Sequence, residues 1–144
     1  MLQKTIVEVE DVFDTNEYTI IVMEYMAGGS LADRLVTEKE NRFSEGVCRM
    51  LAYQLLVALE YLHFKHIIHR DIKPENILAV SRRESDYRVK LADFGLSKLV
   101  SQSRVAVTEC GTKKFAAPEV LSSHRKAYTS KVDVWSLGAT IYLW

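Results

Sequence analysis

The chain has 144 residues, 48% of them hydrophobic and 26% charged, and its 19 basic and 19 acidic side chains give a formal net charge of +0. That is the size and composition of one globular domain with room for a core, and the balance gives no reason to expect nucleic acid or an anionic membrane as a partner. Cys48 and Cys110 lack metal-ligand spacing to each other, and no stretch offers a signal peptide or the roughly 18 apolar residues of a membrane span, so a cytoplasmic or nuclear protein with reduced thiols is expected.

In chain order, "TIVEVEDVF" alternates apolar and polar residues and "YTIIVMEYM" is rich in β-branched and aromatic ones, with "DTNE" between them as a turn. The pattern predicts two antiparallel strands. Gly28 and Gly29 then break the chain before Ser30, a natural N-cap for a short helix through "LADRLV". From Ser44 a long helix is predicted, because Val47, Leu51, Leu55, Ala58 and Leu62 fall on one stripe. "NILAV" and "VKLAD" read as short strands joined by the charged linker "SRRESDY". Periodicity is poor from Asp93 to about Lys114, and helical pattern returns at "APEVLSS" and "VDVWSLGATIYLW". That last helix is still apolar at Trp144, which suggests a truncated domain with apolar surface uncovered around Val134, Leu137 and Ile141.

One stretch fits neither strand nor helix. "HRDIKPEN", His69 to Asn76, gathers polar and restricted residues around the single apolar Ile72. An acid, a lysine two residues on, an asparagine three further and a second acid in "DFG" are suited to phosphoryl transfer. One acid positions a hydroxyl, the cation neutralises phosphate charge, and the amide and second acid offer hard oxygens to magnesium.

These residues resemble the eukaryotic protein kinase family of Ser/Thr type. "HRDIKPEN" is similar to its catalytic loop, Asp93-Phe94-Gly95 to its magnesium-binding triplet and Ala117-Pro118-Glu119 to the end of its activation segment. "GGSLADRL", "YLHFKHIIHRDIKPENIL" and the long linker resemble the calmodulin-dependent and checkpoint kinases. The resemblance implies an incomplete kinase-like α+β fold, with residues 1–26 ending the N-lobe and forming the hinge and residues 27–144 a truncated C-lobe. It implies that Asp71 accepts or orients the substrate hydroxyl proton, that Lys73 neutralises the transferred group and directs the choice to Ser and Thr, and that Asn76 and Asp93 bind Mg2+. The Glu24 carbonyl and Met26 amide would meet the adenine of ATP, with Met23 gating the pocket and Leu78 as its floor. His69 reads as a core residue packing on Phe94, and Asp133 as the acid that holds the catalytic-loop backbone.

Arg70 matches the residue by which family members bind a phosphate on the activation segment. Thr108 stands at the phosphorylated position, supplied by an upstream kinase or by autophosphorylation, and Thr112 where a hydroxyl links the substrate platform to Asp71 and Lys73. "TKKF" departs from the usual Thr-Pro-x-Tyr there. The sequence contains no G-x-G-x-x-G run and no strand lysine before "IVEVEDVF". Two functions follow: a partial Ser/Thr kinase whose partners are ATP and proteins bearing Ser or Thr, or a non-catalytic module that binds or interferes. As an isolated polypeptide the chain is expected to be inactive and poorly stable.

Overall fold

The structure is a computed structural model that describes residues 4–94, 98–99, 113–121 and 129–144, with residues 98 and 99 described as backbone only. The fold is mixed α+β. Strands β1 (Val9–Asp14) and β2 (Thr19–Met23) form the expected antiparallel hairpin, in register from Asp14 opposite Thr19 to Val9 opposite Met23, with an irregularity between Val9 and Asp11. The turn closes because the Thr15 hydroxyl accepts from the Tyr18 amide at 2.8 Å and donates to its carbonyl at 2.9 Å.

After the hairpin the chain crosses β4 (Ile77–Ala79), and here glycine is required. A Cβ on Gly28 would lie 2.4 Å from the Ser81 carbonyl oxygen and 2.6 Å from the Ala79 Cβ, and Gly29 has φ +69°. The Gly28 amide donates to Ala79 and the Ala79 amide to Gly29, at 3.0 and 2.8 Å. Helix α1 (Leu31–Thr37) starts at Ser30 with a capping box, the Ser30 hydroxyl taking the Asp33 amide while the Asp33 carboxylate takes the Ser30 amide.

Helix α2 (Glu45–Phe64) buries Val47, Leu51, Leu55, Ala58 and Leu62, the stripe read from the sequence, with Leu59 beside it. Around that stripe pack Leu31 and Leu35 of α1, Ile72, Ile77, and Val89 and Leu91 of β5 (Val89–Leu91). At the chain end Trp144 meets Phe43 edge-on at 5.9 Å. β4 and β5 are antiparallel, Leu78 opposite Lys90. Within the stretch without periodicity the structure adds β6 (Lys98–Leu99), paired with β3 (Ile67–Ile68); two-residue strands are too short to leave a period in the sequence.

The charged linker is held by Arg34, whose guanidinium donates to the carbonyls of Asp86 (2.8 Å), Arg83 (3.1 Å) and Glu84 and lies over the Tyr87 ring. Gln54 of α2 also grips it, donating to the Tyr87 carbonyl and accepting from the Val89 amide. Helices α3 (Pro118–Leu121) and α4 (Lys131–Leu143) follow. The apolar surface expected on α4 is displaced. Leu137 is buried and Ile141 half-buried against the α2 core, whereas Val134, Trp135 and Tyr142 are exposed. The helix turns its Asp133, Ser136 and Thr140 inward, so its buried face is partly polar and an apolar count misplaces it.

Candidate active site

The loop from His69 to Asn76 hangs on one carboxylate. Asp133 of α4 is fully buried and accepts from the His69 amide (3.0 Å) and His63 Nε2 (2.9 Å) through Oδ2 and from the Arg70 amide (2.9 Å) through Oδ1. Arg70 needs that grip, because its φ of 71° lies in the left-handed region that disfavours side chains. The sequence reading of Asp133 is met in detail; His63 was not anticipated, since nothing local distinguishes a histidine in the last turn of α2.

His69 joins the two acids of the site. Its Nε2 donates to the Ala92 carbonyl (3.0 Å), just before Asp93, and its Nδ1 accepts from the Asp71 amide (3.3 Å). Those partners require the neutral ring. Desolvation lowers the His69 pKa below the ordinary 6.5, outweighing the Ala92 hydrogen bond and the charges of Asp133, Asp71 and Asp93 that raise it. The ring sits 5.0 Å from Phe94, edge-on, as expected of a core histidine.

The Asp71 carboxylate is buried and its Oδ2 is held from two sides, by Lys73 Nζ at 2.7 Å and Asn76 Nδ2 at 3.0 Å. Asn76 also donates to the Asp71 carbonyl at 2.8 Å. Its backbone carbonyl takes the Ala92 amide, which brings Asn76 beside the start of the Asp93 segment. A lysine, an aspartate and an asparagine are therefore brought together within one short loop. A family match decides what such a loop belongs to: the protein kinase domain pattern covers residues 1–144.

The chain belongs to the protein kinase family. It is 41% identical over 138 residues to the ovarian-specific serine/threonine-protein kinase Lok of Drosophila melanogaster, covering 95% of this chain and 28% of that protein. With myosin light chain kinase A of Dictyostelium discoideum the identity is 41% over 138 residues, covering 96% of this chain and 45% of the relative. The probable serine/threonine-protein kinase fhkC of the same organism is 38% identical over 141 residues, covering 97% and 23%. The kinase chain thus spans less than half the length of these curated relatives.

Mg2+ belongs to the chemistry of kinases, and the donor set here fits it. With Nδ2 of Asn76 directed at Asp71, the ligand atom left to that side chain is Oδ1, and the exposed Asp93 adds carboxylate oxygens. Among the described residues no group of three or more His, Cys, Asp or Glu could hold a metal; Mg2+ beside a nucleotide is ordinarily held by one or two protein oxygens, with phosphates and water completing its shell. Asp93 itself, two residues past β5, has φ 61°, a strained backbone.

Of the other expected site residues, Met26 is buried with Val7 and Ala92 in a small cluster against which Leu78 and Val80 pack. Among the described residues no backbone group engages the Glu24 carbonyl or the Met26 amide. The Glu24 side chain was overlooked in the sequence: it is bound to Lys90, at 2.5 and 2.7 Å. Thr108 and Thr112 lie outside the described residues. No helix among the described residues is long and apolar enough to cross a membrane.

Proposed function

We propose that this chain is part of a serine/threonine protein kinase that transfers the γ-phosphoryl group of ATP to Ser and Thr hydroxyls of proteins, with residues 1–26 ending the N-lobe and forming the hinge and residues 27–144 belonging to the C-lobe. One observation carries the reading: a buried aspartate, Asp71, clamped by a lysine and an asparagine from its own loop. In that role Asp71 takes or orients the acceptor hydroxyl proton. Lys73, already within 2.7 Å of it, offsets the negative charge of the group in transfer. Asn76 and Asp93 hold Mg2+, which when bound neutralises phosphate charge. The Glu24 carbonyl and Met26 amide face adenine above Leu78. Arg70 pairs with a phosphate on Thr108, and Thr112 ties the substrate platform to Asp71 and Lys73.

The 144-residue polypeptide assayed alone is expected to transfer phosphate negligibly, since its sequence carries no Gly-rich loop and positioning supplies much of the catalysis. The test is therefore made on the full-length protein with a Ser/Thr peptide and MgATP. Asp71→Asn should lower kcat at least about a hundredfold, the scale of a lost general base, and Thr108→Ala should lower activation by phosphorylation. An Asp71→Asn variant of normal activity would reject the reading in favour of a binding module.

A further inference from the structure

The cross-strand register places Lys90 directly opposite Leu78, so the two side chains emerge on the same face of the β4–β5 pair. That is the face proposed above as the floor beneath adenine. From it Lys90 Nζ reaches both oxygens of Glu24, at 2.5 and 2.7 Å, and Glu24 Oε1 also takes the Glu8 amide at 2.8 Å. The two side chains are only 18% and 26% exposed, which limits screening by solvent. Desolvation raises the Glu24 pKa, but the hydrogen bonds from Lys90 and Glu8 and the lysine charge hold it below the usual carboxylate value.

The backbone runs the same way. Residues 5–8 bridge β5 and the segment after β2: the Leu91 amide donates to Thr5 at 2.9 Å, the Val7 amide to Leu91 at 3.0 Å and the Glu24 amide to Glu8 at 3.0 Å. Beyond this bridge the hairpin has little to hold it, since Val12, Phe13, Ile20 and Ile21 are all half-exposed. The height of residues 24–26 above β5 thus depends on a few backbone bonds, on Met26 packed with Val7, Ala92 and Leu78, and on one paired charge. Asp93 follows Lys90 by three residues on the same segment.

We propose that Lys90 is a positioning residue for the nucleotide, gripping the Glu24 carboxylate so that the backbone of residues 24–26 stays at a fixed distance from Leu78 and Asp93. It touches neither the reacting atoms nor the acceptor. Its effect falls on how well ATP is held rather than on the transfer itself, and the inference rests on the phosphoryl-transfer reading above.

The experiment uses the full-length protein and the variants Lys90→Met, Glu24→Gln, Lys90→Met/Glu24→Gln and Lys90→Arg. Lys90→Met should raise KM for ATP about fivefold or more with kcat at saturating ATP changed by less than about twofold, the signature of lost uniform binding. Glu24→Gln should do the same, the double variant no worse than either single one, and Lys90→Arg should restore KM because guanidinium also binds a carboxylate through two bonds. An unchanged KM, additive single effects, or a kcat that rises or falls alone would overturn the proposal. Hydrogen exchange gives a readout free of catalysis: Lys90→Met should quicken exchange at the Glu8 and Glu24 amides, which bond the Glu24 carboxylate and the Glu8 carbonyl, while α2 is unaffected, and unchanged exchange overturns the proposal. A wild type that transfers no phosphate overturns the kinase reading beneath it, whereas an active wild type with unchanged KM in Lys90→Met overturns the strap alone.

Discussion

The β1–β2 hairpin and the His69–Asn76 loop reverse the usual relation between composition and burial. The hairpin carries Val9, Val12, Phe13, Ile20, Ile21 and Met23, yet all of them are about half-exposed, on both faces of the ribbon. The loop is mostly polar, and His69, Asp71 and Asn76 are buried. Burial is decided by what the chain brings alongside. Among the described residues no layer packs on either face of the two strands, whereas the loop is enclosed by α1, α4 and the segment after β5, where each buried polar group can find a partner. The price of that enclosure is that the loop depends on those partners.

The sharpest test removes the carboxylate on which the loop hangs. Asp133→Ala should cost at least about 3 kcal/mol in urea denaturation, because it leaves the His69 and Arg70 amides and His63 Nε2 without their acceptor. Ile21→Thr in the hairpin, which trades one β-branched residue for another on a half-exposed strand, should cost about 1 kcal/mol or less. Equal costs would break the comparison.

Acid should also act on the loop before the hairpin. The His69 pKa is lowered in the folded state, so below the ordinary 6.5 the unfolded chain takes a proton that the folded chain refuses. This contribution is fully present above pH 6.5 and is lost as pH falls through the lowered folded value. Stability should fall as pH drops below about 6.5 toward the lowered folded value, by up to about 1.4 kcal/mol per pH unit, the limit for one proton. His69→Gln should flatten that slope. A slope identical to wild type would remove His69 from the account. The smallest effect belongs to the junction of the two regions, where Ser30→Ala breaks the capping box of α1 and should cost about 1 kcal/mol. A thermal melt is the measurement, and no shift would mean that Gly28, Gly29 and the packing of Leu31 set the helix start unaided.

The sequence by itself determined the features that are local or periodic. The α2 stripe from Val47 to Leu62 follows from helical spacing, the start of α1 from Ser30 and Asp33, the hairpin from alternation, and the meeting of Asp71, Lys73 and Asn76 from a motif whose members share one loop. Side-chain partnerships across distant elements could not be read that way. His63 on Asp133, Glu24 on Lys90 and Arg34 on the 83–86 carbonyls join residues 70, 66 and about 50 positions apart. Nor could the exposure of the hairpin or the inward polar face of α4, because a pattern says which residues share a face and not whether anything packs on it. Only the tertiary structure, by fixing which elements meet, decided that an apolar ribbon is left open while a polar loop is enclosed.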